Sequence, residues 1–506
     1  MLIDISQKQE GPELSYVDEN GIIKLTTVPL KNGYYEYVVC DSSDPQCISG
    51  LRSFKGNHVK KQPAKYFQYH ALNEFIGVDL EKEYPDVHKL VSSLNIPTPY
   101  SVDIETEITD EYGYSSEEKA ENRVLSISIT DTSLNSILFM LENPDHPVIL
   151  PTDRNEIDSV LREALAHHYN EYEYGYEIRI FKDEREMIST FFDCIRNYFH
   201  SIFGWNYIQY DNQYLFNRAK RLNIDPRKMS PVGQLTKKRL EIQNQYIMDY
   251  EIPRHRIVND YMALVKSSQI YRNLESYSLN YIAELLLGLK KVSYTGNLRS
   301  LYKDNFPRFV GYSLVDTILV MLIHKVTNLY NGDFFQSYYT KVPYQKISQN
   351  VISEALVFNE LRPNNIVLCE SEFNHYPKRK YQGGYVKPPT KKFARSVSGF
   401  DYNALYPNTI ITVGLSPEMK VDAIEVDENG WPKSILDKQK WEAYKSKGKY
   451  CLSPMGRIYD VSSDGLYVRI EKKLQQERGV YKKCKEDIYL RIMPALEEEM
   501  KRRGLK

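Results

Sequence analysis

Three short apolar runs lie between Thr98 and Leu141: "YSVDIE", "VLSISIT" and "SILFML". Polar loops with Gly, Asp, Asn and Ser separate them, which predicts three successive strands in an antiparallel meander. Apolar residues then recur with helical spacing in "EIDSVLREALAHHYNEY" and "EREMISTFFDCIRNYF", ahead of a short strand at "SIFGWNY". "GYSLVDTILVMLIHKV" predicts a strongly apolar helix from Tyr312 to about residue 330. Strands and helices in this order make residues 98–329 a layered α/β domain. Residues 1–97 mix strand-like runs such as "YYEYVVC" with turn signals and form a separate N-terminal region. Residues 330–372 are Tyr-rich and loop-rich without a strong period, and read as a return segment to it. "VSGFDYNALYPNTIITV" predicts another strand running into a helix within a unit of residues 373–465. From Leu466 the chain is charge-rich and helical, with Gly479 a weak point and Pro494 a break or kink. Lys501, Arg502 and Arg503 before Gly504 match a cation-rich last turn and glycine cap, so the sequence is expected to stop where a helix closes.

Length and composition narrow the class. A chain of 506 residues is too long for one core, and 42% hydrophobic with 26% charged residues describes a globular protein. No apolar run is read as approaching the roughly 20 residues of a membrane span, and the N-terminus lacks signal-peptide order, so a cytoplasmic location without membrane contact is expected. Cys40, Cys47, Cys194, Cys369, Cys451 and Cys484 are scattered without zinc-site spacing, and reduced thiols are expected. The net charge of −1 confines any nucleic-acid contact to local clusters such as Lys378-Arg379-Lys380 and Lys391-Lys392. The 42 tyrosines offer stacking surfaces for unpaired bases, and amphipathic packing explains them equally well.

Candidate chemistry sits on carboxylates. The strand period of two points Asp103 and Glu105 to one side, with Val102 and Ile104 opposite. Two like charges side by side need water or a hard cation. Asp211, in "GWNYIQYDNQYLFNRAKRL", stands at a strand-to-helix junction, where it either caps a helix or serves a site. Tyr312 and Asp316 are four residues apart, hence on one face of the apolar helix, where a buried carboxylate needs a partner. Four converging carboxylates are a ligand inventory for two Mg²⁺ ions and permit in-line phosphodiester hydrolysis, with the Tyr312 hydroxyl positioned to hold the attacking water.

Asp103-Ile-Glu105, Asn206-x4-Asp211 and Tyr312-x3-Asp316 resemble, in order and spacing, the Exo I, Exo II and Exo III motifs of DEDD-type 3′→5′ exonucleases with a tyrosine in the third motif. This is the proofreading domain of family B DNA polymerases. "KYQGGYVKPP" resembles the Y-x-G-G element between exonuclease and polymerase modules, which implies DNA binding by Tyr381, Gly383, Gly384 and Lys387. "FDYNALYPNTI" resembles polymerase motif A: Asp401 and the Tyr402 carbonyl correspond to metal ligands, and Leu405 and Tyr406 to nucleotide-binding positions. Ala404 and Asn408 stand where the pattern has serines. Arg478 and Lys482, one turn apart, resemble the triphosphate-binding residues of the first fingers helix.

The resemblance implies an α/β and α+β multidomain protein: a mixed N-terminal domain, an RNase H-like exonuclease domain, a partial palm at 373–465 and the start of the fingers at 466–506. Its arrangement is closest to replicative polymerases of tailed bacteriophages. It also implies two Mg²⁺ ions at the exonuclease site, with Mn²⁺ able to substitute, and as partners primer-template DNA, a single-stranded 3′ end and dNTP. Neither the K-x3-N-S-x-Y-G motif nor the D-T-D motif of the family occurs in these residues, and "SITDTSLN" is a strand-end turn. With one metal carboxylate, Asp401 cannot assemble a two-metal site alone. A split polymerase follows as the expectation, with a C-terminal subunit carrying both motifs and a sliding clamp as a further candidate partner. A free-standing exonuclease with a DNA-gripping palm remnant and an inactive replisome scaffold are the alternatives.

Overall fold

The computed structural model describes residues 1–6, 12–28, 35–63, 82, 85–110, 112–243, 245–369, 386–388, 393, 395–396, 398–502. The chain divides into two compact units, one of residues 1–33 with 72–351, the other of residues 34–71 with 352–506.

A six-stranded mixed sheet organises the first unit. Its order is Tyr176–Phe181, Ser136–Leu141, Val124–Thr130, Tyr100–Thr106, Ser201–Gly204, Ile257–Asp260. Strands 100–106, 124–130 and 136–141 form the antiparallel meander, and the flanking strands run parallel to their neighbours. Helices cover both faces. Phe139 and Leu141 join Val102, Ile104 and the helices Glu184–Asn197 and Asp211–Arg221 in one core, while Leu138 and Met140 point into another with Pro151–Leu165 and Phe306–Thr327. Strand 124–130 is therefore buried at every position.

Its polar residues on the second face are satisfied by a hydroxyl ladder. Ser126 meets Ser313 at 3.2 Å, and Thr317 meets both Ser128 at 2.9 Å and Thr130 at 2.8 Å. Helix and sheet are thus fixed in register by paired hydroxyls rather than by apolar contact alone. Two glycines permit the close approaches. A Cβ on Gly204 would stand 2.3 Å from the Val102 carbonyl oxygen, and one on Gly311 would stand 2.6 Å from Val160 Cγ1.

Several expectations need correction. The apolar helix begins at Phe306, not Tyr312, because Asn305 accepts the Arg308 amide at 3.1 Å and Pro307 suits the first turn. This 22-residue helix is also long and apolar enough to cross a membrane by length and composition, against the reading that no run approaches that size. Its most apolar window is 83% buried within the protein, as befits a core helix. Edge strand Tyr176–Phe181 was not read from the sequence, because its exposed positions carry the charges Glu177 and Arg179, paired at 2.7 Å. The hairpin Leu235–Ile242 with Gln245–Pro253 was missed too, its exposed positions carrying the charges Lys237, Arg239, Glu241 and Asp249.

In the second unit, strands Tyr35–Val39 and Val59–Pro63 pair antiparallel, and Arg52–Ser53 pairs in parallel with Ile366–Val367 over a small core of Tyr37, Leu51, Val59, Val367 and Cys369. Cys40 and Cys47 form a disulfide, correcting the expectation of six reduced thiols; turns over residues 41–47 bring the two together. Cys194, Cys369, Cys451 and Cys484 are free. A three-stranded antiparallel sheet of Lys420–Ala423, Arg457–Asp460 and Tyr450–Leu452 follows. The strand expected before Leu405 is not formed over 398–402, which pair with no strand among the described residues, and the helix runs Leu405–Val413. The last helix, Leu466–Arg502, continues through Pro494 without a break. A proline deletes a single backbone donor, and on an exposed helix water satisfies the freed carbonyl. Arg503 and Gly504 lie outside the described residues, as do Lys378-Arg379-Lys380 and Lys391-Lys392.

Candidate active site

Register explains why the carboxylate strand faces the apolar helix. Asp103 pairs across the sheet with Ser128, and Glu105 with Ser126, and directly opposed residues share a face. That face is the one whose serines bond the helix, so Asp103 and Glu105 point toward the helix that carries Asp316. One ligand atom from each of Asp103, Glu105 and Asp316 lies within 4.8 Å of the others.

Asp211 approaches from a different direction. It is the first residue of helix Asp211–Arg221, not its cap, and its Oδ1 accepts the Ile104 backbone amide at 3.1 Å. The carboxylate is thereby tied to the residue between Asp103 and Glu105, and its charge acts on both. It stands outside the tight three-acid cluster. Asn206, at the other end of that motif, takes a left-handed turn with φ of 63°, and its carbonyl accepts the Tyr210 amide at 3.1 Å. Asp260 braces the same turn by accepting the Ile208 amide at 3.1 Å.

Exposure falls to 9% at Glu105, 4% at Asp211 and 2% at Asp316. Burial, then repulsion from Asp316, pushes Asp103 up to about 7. Burial followed by the Asp103 and Asp316 charges holds Glu105 well above the carboxylate range, and burial with the Asp103 charge does the same to Asp211. Asp316 is raised by burial against the opposing pull of Lys291.

Lys291 is a site residue the sequence reading missed. Its Nζ lies 2.5 Å from Asp316 Oδ2 and 3.4 Å from the Tyr312 hydroxyl. It comes from the irregular connector between helices Leu279–Leu287 and Leu298–Asp304, where no periodicity marks it. The one available signal was electrostatic: several buried acids demand a cation. Asp316 Oδ1, by contrast, is buried with no hydrogen-bond partner. An orphaned carboxylate oxygen beside two further acids fits a divalent cation with oxygen ligands.

The polymerase-like residues lie in the second unit. Asp401 is exposed, as are Tyr402 at 78%, Leu405 at 51% and Tyr406 at 81%. Ala404, left-handed with φ of 48°, starts the helix, and its carbonyl accepts the Asn408 amide at 2.9 Å. Among the described residues, no cluster of three potential metal ligands forms around Asp401. Arg478 and Lys482 are exposed on the last helix, with Lys482 3.8 Å from Glu486. Lys387 is exposed, and Tyr381, Gly383 and Gly384 lie outside the described residues.

Comparison with known proteins gives two family matches. Residues 51–282 match the family described as DNA polymerase family B, exonuclease domain, and residues 340–483 match DNA polymerase family B. A DNA-directed DNA polymerase of Escherichia phage RB69 is 29% identical over 290 residues, 55% of this chain and 30% of the relative. That of Enterobacteria phage T4 is 28% identical over 309 residues, 60% of this chain and 33% of the relative. DNA polymerase 1 of Sulfolobus acidocaldarius is 22% identical over 435 residues, 82% of this chain and 43% of the relative. The chain thus spans less than half the length of these relatives. Two separate stretches of the chain thus match models of DNA polymerase family B, the first of them that family's exonuclease domain.

Proposed function

We propose that this chain removes nucleotides from a DNA 3′ end by two-metal hydrolysis in an RNase H-like domain. The observation that carries the reading is the cluster of half-buried Asp103 with Glu105 and buried Asp316, with an unpartnered oxygen on Asp316 and Asp211 tied to the same strand. These four residues would hold Mg²⁺, with Mn²⁺ as substitute. When bound, such a pair of cations supplies an acidified water and a counter-charge for the leaving 3′ oxygen. Tyr312, beside Asp316 and Lys291, would orient that water through its hydroxyl, and Lys291 balances the acids' charge. Val102 and Ile104, packed in the core behind the strand, keep the two acids aimed at one side.

Asp401, the Tyr402 carbonyl, Leu405 and Tyr406 would contribute motif A to nucleotide addition, with Arg478 and Lys482 on the triphosphate and the Tyr381–Lys387 segment on DNA. A second metal-binding aspartate must come from elsewhere, which in the split arrangement is a C-terminal subunit carrying the two missing motifs. The first test is degradation of a 5′-labelled single strand in Mg²⁺. Stepwise shortening from the 3′ end, abolished in Asp103→Ala/Glu105→Ala, is expected. No shortening in either Mg²⁺ or Mn²⁺ would refute the nuclease reading.

A further inference from the structure

The connector that delivers Lys291 delivers a second side chain to the same place. Tyr294, three residues on, packs its ring against Tyr312 at a centroid distance of 5.4 Å and an interplanar angle of 89°. Lys291 lies on the Tyr312 ring as well, its Nζ 5.3 Å from the centroid. Tyr312 is therefore held by two residues of one segment, an ammonium and an edge-to-face ring.

That segment has neither helix nor strand to stiffen it, yet it is pinned along its length. The Lys291 amide donates to Asn280 Oδ1 at 3.0 Å. The Ser293 carbonyl, immediately before Tyr294, accepts from Arg308 Nε at 2.9 Å and from a second guanidinium nitrogen at 2.8 Å. Arg308 is in turn fixed by Glu163, with contacts of 3.1 and 3.0 Å. Asn297 closes the segment with a reciprocal capping box to Ser300. Three independent anchors on a ten-residue stretch are more than a plain connection between helices needs. They fix the backbone on both sides of Tyr294, a residue 37% exposed.

We propose that Tyr294 is a positioning residue for the exonuclease reaction, confining the Tyr312 ring so that its hydroxyl stays beside Asp316 and Lys291. The inference rests on the exonuclease reading above. A phenol attached to a helix at one end keeps ring freedom unless something flanks it, and a loosely held hydroxyl lowers the fraction of productive geometries. The edge-to-face contact supplies that flank.

The test is steady-state hydrolysis of a single-stranded oligonucleotide by the full chain in Mg²⁺, with kcat and KM resolved. Tyr294→Leu is expected to lower kcat on the order of ten-fold with KM little changed. Tyr294→Phe, which keeps the ring, is expected to recover most of the loss. In a Tyr312→Phe background, Tyr294→Leu should cost nothing further, because the hydroxyl it serves is gone. Tyr294→Met provides a second truncation if the leucine variant does not fold. A rise in KM at constant kcat, an undiminished loss in the Tyr312→Phe background, or full kcat in both truncations would each overturn the inference while leaving the nuclease reading intact. An unaltered chain without hydrolytic activity would overturn both.

Discussion

At the residue scale, the site is a store of unfavourable charge. Asp103, Glu105, Asp211 and Asp316 all hold protons more tightly in the fold than in the unfolded chain, because burial disfavours the carboxylates and, at the first three, repulsion from neighbouring acids adds to it. Unfolded carboxyls ionise near pH 4, whereas Asp103 in the fold does so at about 7. Between those values the native state binds more protons than the unfolded state, so the cluster's contribution to stability declines as pH rises through that window. A divalent cation removes the repulsion, so the rise in Tm on adding Mg²⁺ should be larger at alkaline than at acid pH, measured by thermal scans with EDTA as control. Equal shifts at both ends would contradict the charge account. Asp316→Asn, which keeps the shape and removes one ligand charge, should abolish exonuclease activity while Mg²⁺ stabilisation shrinks. Lys291 could not be found by motif, but Asp316 could, since an aspartate in an apolar helical stripe has to be explained.

Elements carry the precision. The hydroxyls of Ser126, Ser128 and Thr130 look like solvent-facing positions of an amphipathic strand, and the fold buries them against Ser313 and Thr317. Thr317→Val should cost about 1–3 kcal/mol in urea unfolding, because the buried Ser128 hydroxyl loses the Thr317 partner and Thr130 keeps only Ser136. It should also lower exonuclease kcat, since Asp316 is its neighbour on the helix. At Gly204, an added methyl would collide with the Val102 carbonyl in strand Tyr100–Thr106. Gly204→Ala is expected to be more damaging than an alanine at open Gly332, with loss of soluble, Mg²⁺-stabilised protein as the readout. The meander was legible because apolar runs and turn residues are local signals. The parallel edge strand and the 235–253 hairpin were not, because their exposed halves carry charges that sequence reading assigns to loops.

For the whole molecule, the two units carry different chemistry. The first unit holds a clustered acidic site, while Asp401 in the second has no comparable partners among the described residues. With primer-template, Mg²⁺ and all four dNTPs, the chain alone should shorten the primer and never extend it. Extension should appear only when a polypeptide with the missing motifs is added, and unaided extension would sink the split arrangement.

What the sequence determined by itself was the list of acids and their order, because spacings such as Tyr312 to Asp316 follow from local helical and strand periods. Tertiary structure alone decided that Asp103, Glu105 and Asp316 share one space, that Asp211 reaches the strand through the Ile104 amide, and that Lys291 answers their charge. The reason is physical: periodicity fixes which side a residue faces within its own element, whereas convergence depends on the register between elements, set here by buried hydroxyl pairs between sheet and helix and by glycines that let strand approach strand at Gly204 and helix approach helix at Gly311.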